Sequence, residues 1–219
     1  MSPIFLLGII ILVAVVGAIW LCSGYALDRI THPEEWSDAG KSGERILYNT
    51  LIHDLKIPEN QILRNVYIPI KKDETSEIDL LVLTKKGIFV LECKNYGGNI
   101  YGDARRRRWV QYIGGKKSFF YNPIMQNKNH AKHLADFLGA RVPIVPLVTT
   151  ITRGKWKVSN CGKNDLILGL NCHFANIYND MPESETMKRN FNRLYQKLKP
   201  LSRPGKETME KHISQIQKL

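Results

Sequence analysis

The pattern of apolar and polar positions divides the chain into an uncharged head and a mixed body. From Pro3 to Leu27 no side chain carries a charge, and Ile, Leu, Val, Ala and Gly dominate. As a helix rising about 1.5 Å per residue, this run crosses a hydrocarbon core of roughly 30 Å. Trp20 and Tyr25 near its far end suit the interfacial belt. A cleaved signal peptide would need a basic start and a shorter apolar core. A lipoprotein signal would need small residues before Cys22, where Trp20 and Leu21 stand. A buried core helix is the remaining alternative, disfavoured by the length of the run and its lack of a polar face. The pattern predicts a transmembrane anchor over residues 1–28 and a polar linker over 29–40. No basic side chain precedes the run, whereas Arg29, Lys41 and Arg45 follow it. That bias predicts a single-pass protein of the cell membrane with its soluble domain in the cytoplasm.

Past the linker the periodicity changes. Leu47, Tyr48, Leu51 and Leu55 fall at helical spacing and predict a helix from about Ser42 to Leu55, with Glu44 on the same stripe. A carboxylate on a buried face needs a partner or a task; in a first turn it also favours the helix dipole. Ile62 to Ile70 reads as extended. Ile78 to Thr84 and Ile88 to Glu92 are branched, apolar runs joined by Lys85-Lys86-Gly87, which predicts a hairpin. Short strands follow at Ile100-Tyr101 and Trp109 to Ile113, and Gly114-Gly115 then lead to Phe119-Phe120-Tyr121. Asn122-Pro123 starts a helix to Leu138. Ile144 to Ile151 and Leu166 to Leu168 are further strands; two prolines near the start of the former suit an edge or entry position. Basic helices over Ser184 to Leu198 and Glu207 to Lys218 close the chain. This mixture predicts an α/β fold with a central mixed sheet flanked by helices. Its core would span residues 41–155, completed or extended by 156–219.

Charge sharpens the picture. The net charge of +12 falls entirely after residue 27, which draws the body to polyanions, either nucleic acid or an anionic membrane surface. Cys22, Cys93, Cys161 and Cys172 form no C-x-x-C pair, so neither a zinc knuckle nor a disulfide framework is indicated.

The candidate chemistry lies on the hairpin, with Asp79 on one strand and Glu92 and Lys94 at the end of the next. Residues two apart on a strand share a face. A two-residue turn at Lys86-Gly87 would set Asp79 opposite Lys94 and diagonal to Glu92; a slip of two residues would set Asp79 opposite Glu92, and a slip of one would throw it to the other face. Two carboxylates are hard oxygen ligands suited to Mg²⁺ or Mn²⁺, with the backbone carbonyl of Cys93 a further candidate ligand. Lys94 would orient or deprotonate a water and offset charge at phosphorus. The competing role is a cross-strand ion pair between Asp79 and Lys94, with Glu92 merely ending a strand. The unbroken apolar run Ile88-Phe89-Val90-Leu91 argues for burial on both faces, and the end of such a strand is where α/β sheets place their sites.

Several segments together resemble the nuclease-related domain. They are Gly43-Glu44, Glu77-Ile78-Asp79, Lys86 through Asn95, Gly98, Gly102, Trp109, and Asn122-Pro123 with Gln126 and His130, in order over roughly residues 41–140. That family is grouped with the restriction-endonuclease-like PD-(D/E)XK superfamily, and its members often follow a membrane span. The resemblance implies Asp79, Glu92 and Lys94 as the catalytic motif, Glu44 as the first-helix acid and Gln126 as the polar residue of the following helix. Two positions depart from the pattern: Ile78 stands where the superfamily's proline would, and Leu80 where many members carry a polar residue.

Arg105, Arg106, Arg107 and Arg108, with Lys116 and Lys117, are the nucleic-acid-binding candidates; the arginine run is equally readable as a solvated loop. Trp109 or Tyr112 could stack on an unpaired base, with core packing the competing role for Trp109. Lys188, Arg189, Arg193, Lys197 and Lys199 are candidates for anionic lipid. The histidines show no metal-ligand spacing, and His130 faces Gln126. The function expected is a membrane-anchored, Mg²⁺- or Mn²⁺-dependent nuclease acting on DNA. Its rivals are a non-catalytic, membrane-tethered nucleic-acid-binding or scaffold protein, and a lipid-surface module.

Overall fold

The computed structural model describes residues 39–71, 74–139, 141–151, 154–162, 165–168, 171–203 and 205–216. The anchor expected over 1–28 lies outside the described residues; among those described, no helix is long and apolar enough to cross a membrane.

Helix α1 (Ala39–Asn49) runs into one wide turn, Thr50–Asp54. Strands β1 (Ile62–Lys71), β2 (Glu74–Leu83) and β3 (Ile88–Lys94) form an antiparallel meander. Strands β4 (Asn99–Asp103), β5 (Arg108–Ile113) and β6 (Lys116–Tyr121) precede helix α2 (Pro123–Leu138). Then come β7 (Ile144–Thr150), β8 (Lys155–Ser159), β9 (Leu166–Leu168), α3 (Asn171–Asp180), α4 (Glu185–Leu198) and α5 (Lys206–Ile216).

Instead of one central sheet there are two. The larger has the order β1-β2-β3-β7-β9 and the smaller β6-β5-β4-β8, each with parallel and antiparallel pairs. The larger sheet is covered on both faces. One face packs Leu63, Ile78, Leu81, Ile88 and Val90 against Leu134 of α2 and Met187 and Leu194 of α4. The other packs Leu80, Val82, Phe89 and Leu91 against Leu47 of α1, Leu51 of the wide turn that follows it and Phe174 of α3. Each large apolar side chain enclosed in this way contributes about 1.5–3 kcal/mol. A third cluster of Ile100, Trp109, Ile124 and Val148 joins the smaller sheet to the larger. Trp109 is therefore a core residue, and stacking on a base is closed to it.

The hairpin register differs from the two-residue turn at Lys86-Gly87. Leu80 pairs with Leu91 and Leu83 with Ile88, which is the slip-of-two arrangement. The turn residues are Lys85 and Lys86, because Thr84 N–H donates to Gly87 O at 2.9 Å. The Thr84 hydroxyl closes the turn, accepting from Lys86 N–H and Gly87 N–H. Gly87 serves a different purpose: a Cβ there would stand 2.8 Å from Pro143 O, the same carbonyl that accepts from Ile88 N–H. The glycine lets the chain entering β7 pass close to β3.

Strand β7 is interior in the sheet order, and Pro146 is accommodated because β9 pairs with β7 only from Val148 to Thr150. This is the entry position, not the edge. Asn122 caps α2 through Ile124 N–H and Met125 N–H, and Ser184 caps α4 through Met187 N–H.

Candidate active site at the open end of the central hairpin

Asp79, Glu92 and Lys94 come together where β2 and β3 part. The register that pairs Leu80 with Leu91 makes Asp79 and Glu92 the next facing positions. Asp79 Oδ2 accepts a hydrogen bond from Cys93 N–H at 2.8 Å, tying the carboxylate to β3 between the other two residues. Glu92 is only 2 % exposed; its Oε1 meets Lys94 Nζ at 2.5 Å and its Oε2 lies 3.6 Å from His130 Nε2.

A local irregularity makes this convergence possible. On β2, Ile78 faces the α2 side, yet so do Leu81 and Leu83, while Leu80 and Val82 face α1. The alternation of the strand therefore shifts by one residue around Asp79. Strand β1 shifts likewise between Leu63 and Val66, with Asn65 at a φ of 47°. The pairs Arg64 with Leu80 and Val66 with Ile78 bracket Asn65 and Asp79, so the two irregular residues face each other. Asparagine tolerates the left-handed region better than most residues. Here its Nδ2 also donates to Glu44 Oε2 at 3.2 Å, bringing the α1 acid into the same neighbourhood.

The electrostatics are those of an acid-rich, cation-poor enclosure. Burial and then the neighbouring Glu92 raise Asp79 to about 8, against the pull of Lys94 and the Cys93 N–H. Burial also raises Glu92, with Lys94 working against it and Glu44 and Glu77 adding to it. Glu44 is lifted to about 8 by burial, Asp79 and Glu77. Burial alone would push the Lys94 ammonium down, but Glu92 and Asp79 outweigh it and hold the group charged well above the usual lysine range. His130 is pushed down to about 4 by burial and by Lys94, so its ring is neutral. Its Nδ1 is joined to Ser76 Oγ at 2.6 Å. Its buried Nε2 has no hydrogen-bond partner among the described residues.

The donors suit a hard divalent cation. Asp79 and Glu92 offer carboxylate oxygens, and burial raises both acids, a cost to the charged forms that a dication would offset. Among the described residues, no group of three or more His, Cys, Asp and Glu is spaced to hold a metal. A cation here would rest on two carboxylates and take its other ligands from backbone carbonyl, water or phosphate.

The remaining candidates are distributed as follows. Gln126 sits half-buried one turn before His130 on α2, and among the described residues its amide makes no hydrogen bond to the acids. Arg105, Arg106 and Arg107 lie in the exposed β4–β5 turn, whose backbone is pinned by Asn122 Nδ2 donating to Ala104 O and Arg106 O. Lys116 and Lys117 begin β6 at the opposite end of β5, because Ile113 pairs with Lys116 and Arg108 with Tyr121. The two basic groups are thus separated by the length of a strand, roughly 17–20 Å. Sequence reasoning missed the supports of the site. These are Ser76 and His130, Asn127 donating to Val90 O at 2.9 Å, and α5. Gln215 of α5 accepts from Thr75 N–H and donates to Thr75 O, in the manner of a paired strand. His212 reaches Glu77 at 3.4 Å. The histidine one turn after Gln126 was the one signal in the sequence that pointed to them.

With this geometry in place, the comparisons with known proteins are decisive for kinship. The nuclease-related domain matches residues 39–151, slightly more than half of the chain. The chain belongs to the nuclease-related domain family. It is 34% identical over 116 residues to an uncharacterized protein of Bacillus anthracis, an alignment covering 53% of this chain and 53% of that protein. The chain therefore spans about half the length of this curated relative. No solved structure matches it. Within the nuclease-related domain, the matched interval contains Glu44, Asp79, Glu92, Lys94, Gln126 and both basic groups.

Proposed function

We propose that the chain is a divalent-cation-dependent nuclease that hydrolyses phosphodiester bonds of nucleic acid, with DNA as substrate, through a PD-(D/E)XK site. One observation carries the reading: Asp79 and Glu92 gather about the ammonium of Lys94, with Glu44 beside Asp79, in a chain of net charge +12. Basic surfaces attract a polyanion; an acidic enclosure within one is the place for a cation between protein and phosphate.

Asp79, Glu92 and the Cys93 carbonyl would hold Mg²⁺ or Mn²⁺. Such an ion, when bound, polarises a phosphoryl oxygen and lowers the pKa of a bound water. Lys94, held charged by Glu92 and Asp79, offsets negative charge at phosphorus and is not the base. Glu44 exchanges its proton near neutral pH and, with Gln126, supports the two ligands. Neutral His130 leaves Glu92 with one positive neighbour instead of two. The uncharged run at residues 3–27 would hold this domain at the cell membrane on its cytoplasmic side, and the support for that is the sequence of the run.

The test is cleavage by the full-length protein in detergent. Substrates are supercoiled plasmid, linear duplex, single-stranded DNA and RNA, each with Mg²⁺, Mn²⁺ or EDTA, beside Asp79→Ala and Lys94→Ala. Cleavage lost with EDTA and in both variants supports the reading. Cleavage that survives both substitutions assigns the activity elsewhere, and binding without any turnover favours the non-catalytic alternative.

A further inference from the structure

The smaller sheet has one face turned into the core and one turned to solvent. Ile100, Trp109 and Phe120 point inward, with Trp156 and Val158 packed beside them. By alternation, the outward positions are Asn99 and Tyr101 on β4, Arg108, Val110 and Tyr112 on β5, Lys117, Phe119 and Tyr121 on β6, and Lys155 and Lys157 on β8. Four of these are rings left open to solvent: Tyr101 at 39%, Tyr112 at 40%, Phe119 at 54% and Tyr121 at 45% exposure. Large apolar side chains gathered on one exposed face mark a surface that binds something.

The registers set these residues in rows across the strands. One row runs Lys157, Tyr101, Val110, Phe119, and the next Lys155, Asn99, Tyr112, Lys117. Adjacent positions in a row stand about 4.8 Å apart. Cations are threaded between the rings. Lys117 Nζ lies 5.0 Å from the Phe119 ring centre and 5.7 Å from that of Tyr112. The Arg108 guanidinium lies 4.9 Å from Phe119, and Lys157 Nζ 5.6 Å from Tyr101. Tyr101 and Tyr112 meet edge to face at 5.8 Å. Among the described residues this face carries one acid, Asp103, whose carboxylate accepts from Arg105 N–H and Asn160 Nδ2.

We propose that this face is a binding platform for single-stranded nucleic acid, separate from the hydrolytic site. Rings stack on unpaired bases and interleaved cations track the phosphates, a combination that recurs in proteins binding single strands without sequence preference. Charge complementarity selects a polyanion. The alternation of ring and cation favours a base–phosphate repeat over a lipid surface, for which a continuous aliphatic patch with a basic rim would serve better; the one aliphatic side chain here, Val110, is half-buried. Tyr101 follows Lys94 by seven residues, so the platform begins within at most about 25 Å of the acidic site along the chain. A strand held there can reach that site.

The experiment is fluorescence anisotropy of the full-length protein in detergent micelles, in EDTA so that nothing is cut. The probes are labelled oligothymidylate and a labelled duplex of equal length. The expected result is tighter binding of the single strand. It should weaken at least about fivefold in Tyr112→Ala and in Phe119→Ala and be retained in Tyr112→Phe. Lys117→Ala should lower the salt slope by about 0.7. The proposal is overturned if both ring-to-alanine variants bind the oligonucleotide as the parent does, or if duplex binding falls as far as single-strand binding. It is overturned equally if the variants lose flotation with phosphatidylserine vesicles while oligonucleotide binding stands. Failure of the nuclease reading looks different: no cleavage with any divalent cation, alongside intact, ring-dependent oligonucleotide binding.

Discussion

Replacing Asp79 by Asn tests the charge balance of the site. A carboxyl raised from 3.8 to about 8 holds its proton in the folded protein by up to about 6 kcal/mol more tightly than in the unfolded chain. Because the folded value lies above the unfolded one, the folded state binds more protons between about pH 4 and pH 8. Stability therefore falls as pH rises through that window and stays low above it. Asp79 is half-buried and Lys94 lies nearby, so solvent and the ammonium recover part of this. The net gain from neutralising Asp79 alone is therefore only a part of that figure. The amide of Asn keeps an oxygen to accept from Cys93 N–H, so the bond that ties β2 to β3 survives.

The assay is thermal unfolding of the full-length protein in detergent with EDTA, at pH 4 and pH 9. At pH 9 Asp79→Asn should unfold at a higher temperature, by about 2–4 °C for each kcal/mol gained. At pH 4 the gain should largely vanish, because the parent carboxyl is then protonated in the folded protein. Adding Mg²⁺ at pH 9 should raise the parent's Tm and move the variant's less. A variant less stable than the parent at pH 9, or equally stabilised at both pH values, would refute the crowding of acids around one ammonium.

Four further outcomes are expected. Lys94→Met should lower cleavage by about 10²–10³ at saturating substrate and cation, in line with loss of one charge-stabilising donor, with a plasmid nicking time course as the measurement. Asn127→Ala should lower the unfolding free energy by about 1–3 kcal/mol, read from urea unfolding, because the bond from Asn127 Nδ2 to Val90 O is buried. Gly87→Ala forces a Cβ to 2.8 Å from Pro143 O and should destabilise by about 1–3 kcal/mol, read as a lower Tm. Changing Arg105, Arg106 and Arg107 together to Gln should flatten the salt dependence of duplex binding by about 0.9 for each phosphate no longer neutralised, measured by titration at several salt concentrations.

Local chemistry made much of the architecture legible before the structure. Branched apolar runs located β2, β3 and β7, and Asn122-Pro123 and Ser184 located the starts of α2 and α4, because caps and buried strands are written in neighbouring residues. What stayed hidden was tertiary. Gly87 looked like a turn residue, yet its reason lies at Pro143, 56 positions away, whose carbonyl it admits; hence the two-residue error in register. No pattern in Ile62–Ile70 signals that Asn65 adopts a left-handed conformation opposite Asp79. Strand β8 was overlooked although Lys155-Trp156-Lys157-Val158-Ser159 alternates polar and apolar residues, a period-two signal in plain view. That omission left the smaller sheet one strand short, since β8 extends β4. That Asp79, Glu92 and Lys94 come together at the hairpin end was readable, but the contact that pairs Lys94 with Glu92 was not. Glu92 and Asp79 raise the Lys94 ammonium above the usual lysine range, against the pull of burial.

The same crowding bears on why the hairpin beneath it is so uniformly apolar. Holding Glu44, Asp79 and Glu92 together without a cation opposes folding near and above neutral pH, so the frame must carry that strain elsewhere. Strand β3 does so by burying Ile88, Phe89, Val90 and Leu91 completely, between helices on both faces. The left-handed Asn65, opposite Asp79, adds strain at the same level of the sheet. It is pinned from outside by Ser202 Oγ donating to Arg64 O at 2.7 Å and Arg203 N–H donating to Asn65 O at 3.0 Å. Strain of this kind persists only where the surroundings over-determine it. Loosening that brace should therefore harm the site before it unfolds the domain. Ser202→Ala removes one bond worth about 0.5–1.5 kcal/mol, and cleavage is expected to fall further than the Tm shift alone would explain. An activity loss no larger than the loss of folded protein would mean that the irregular pair is incidental to the site.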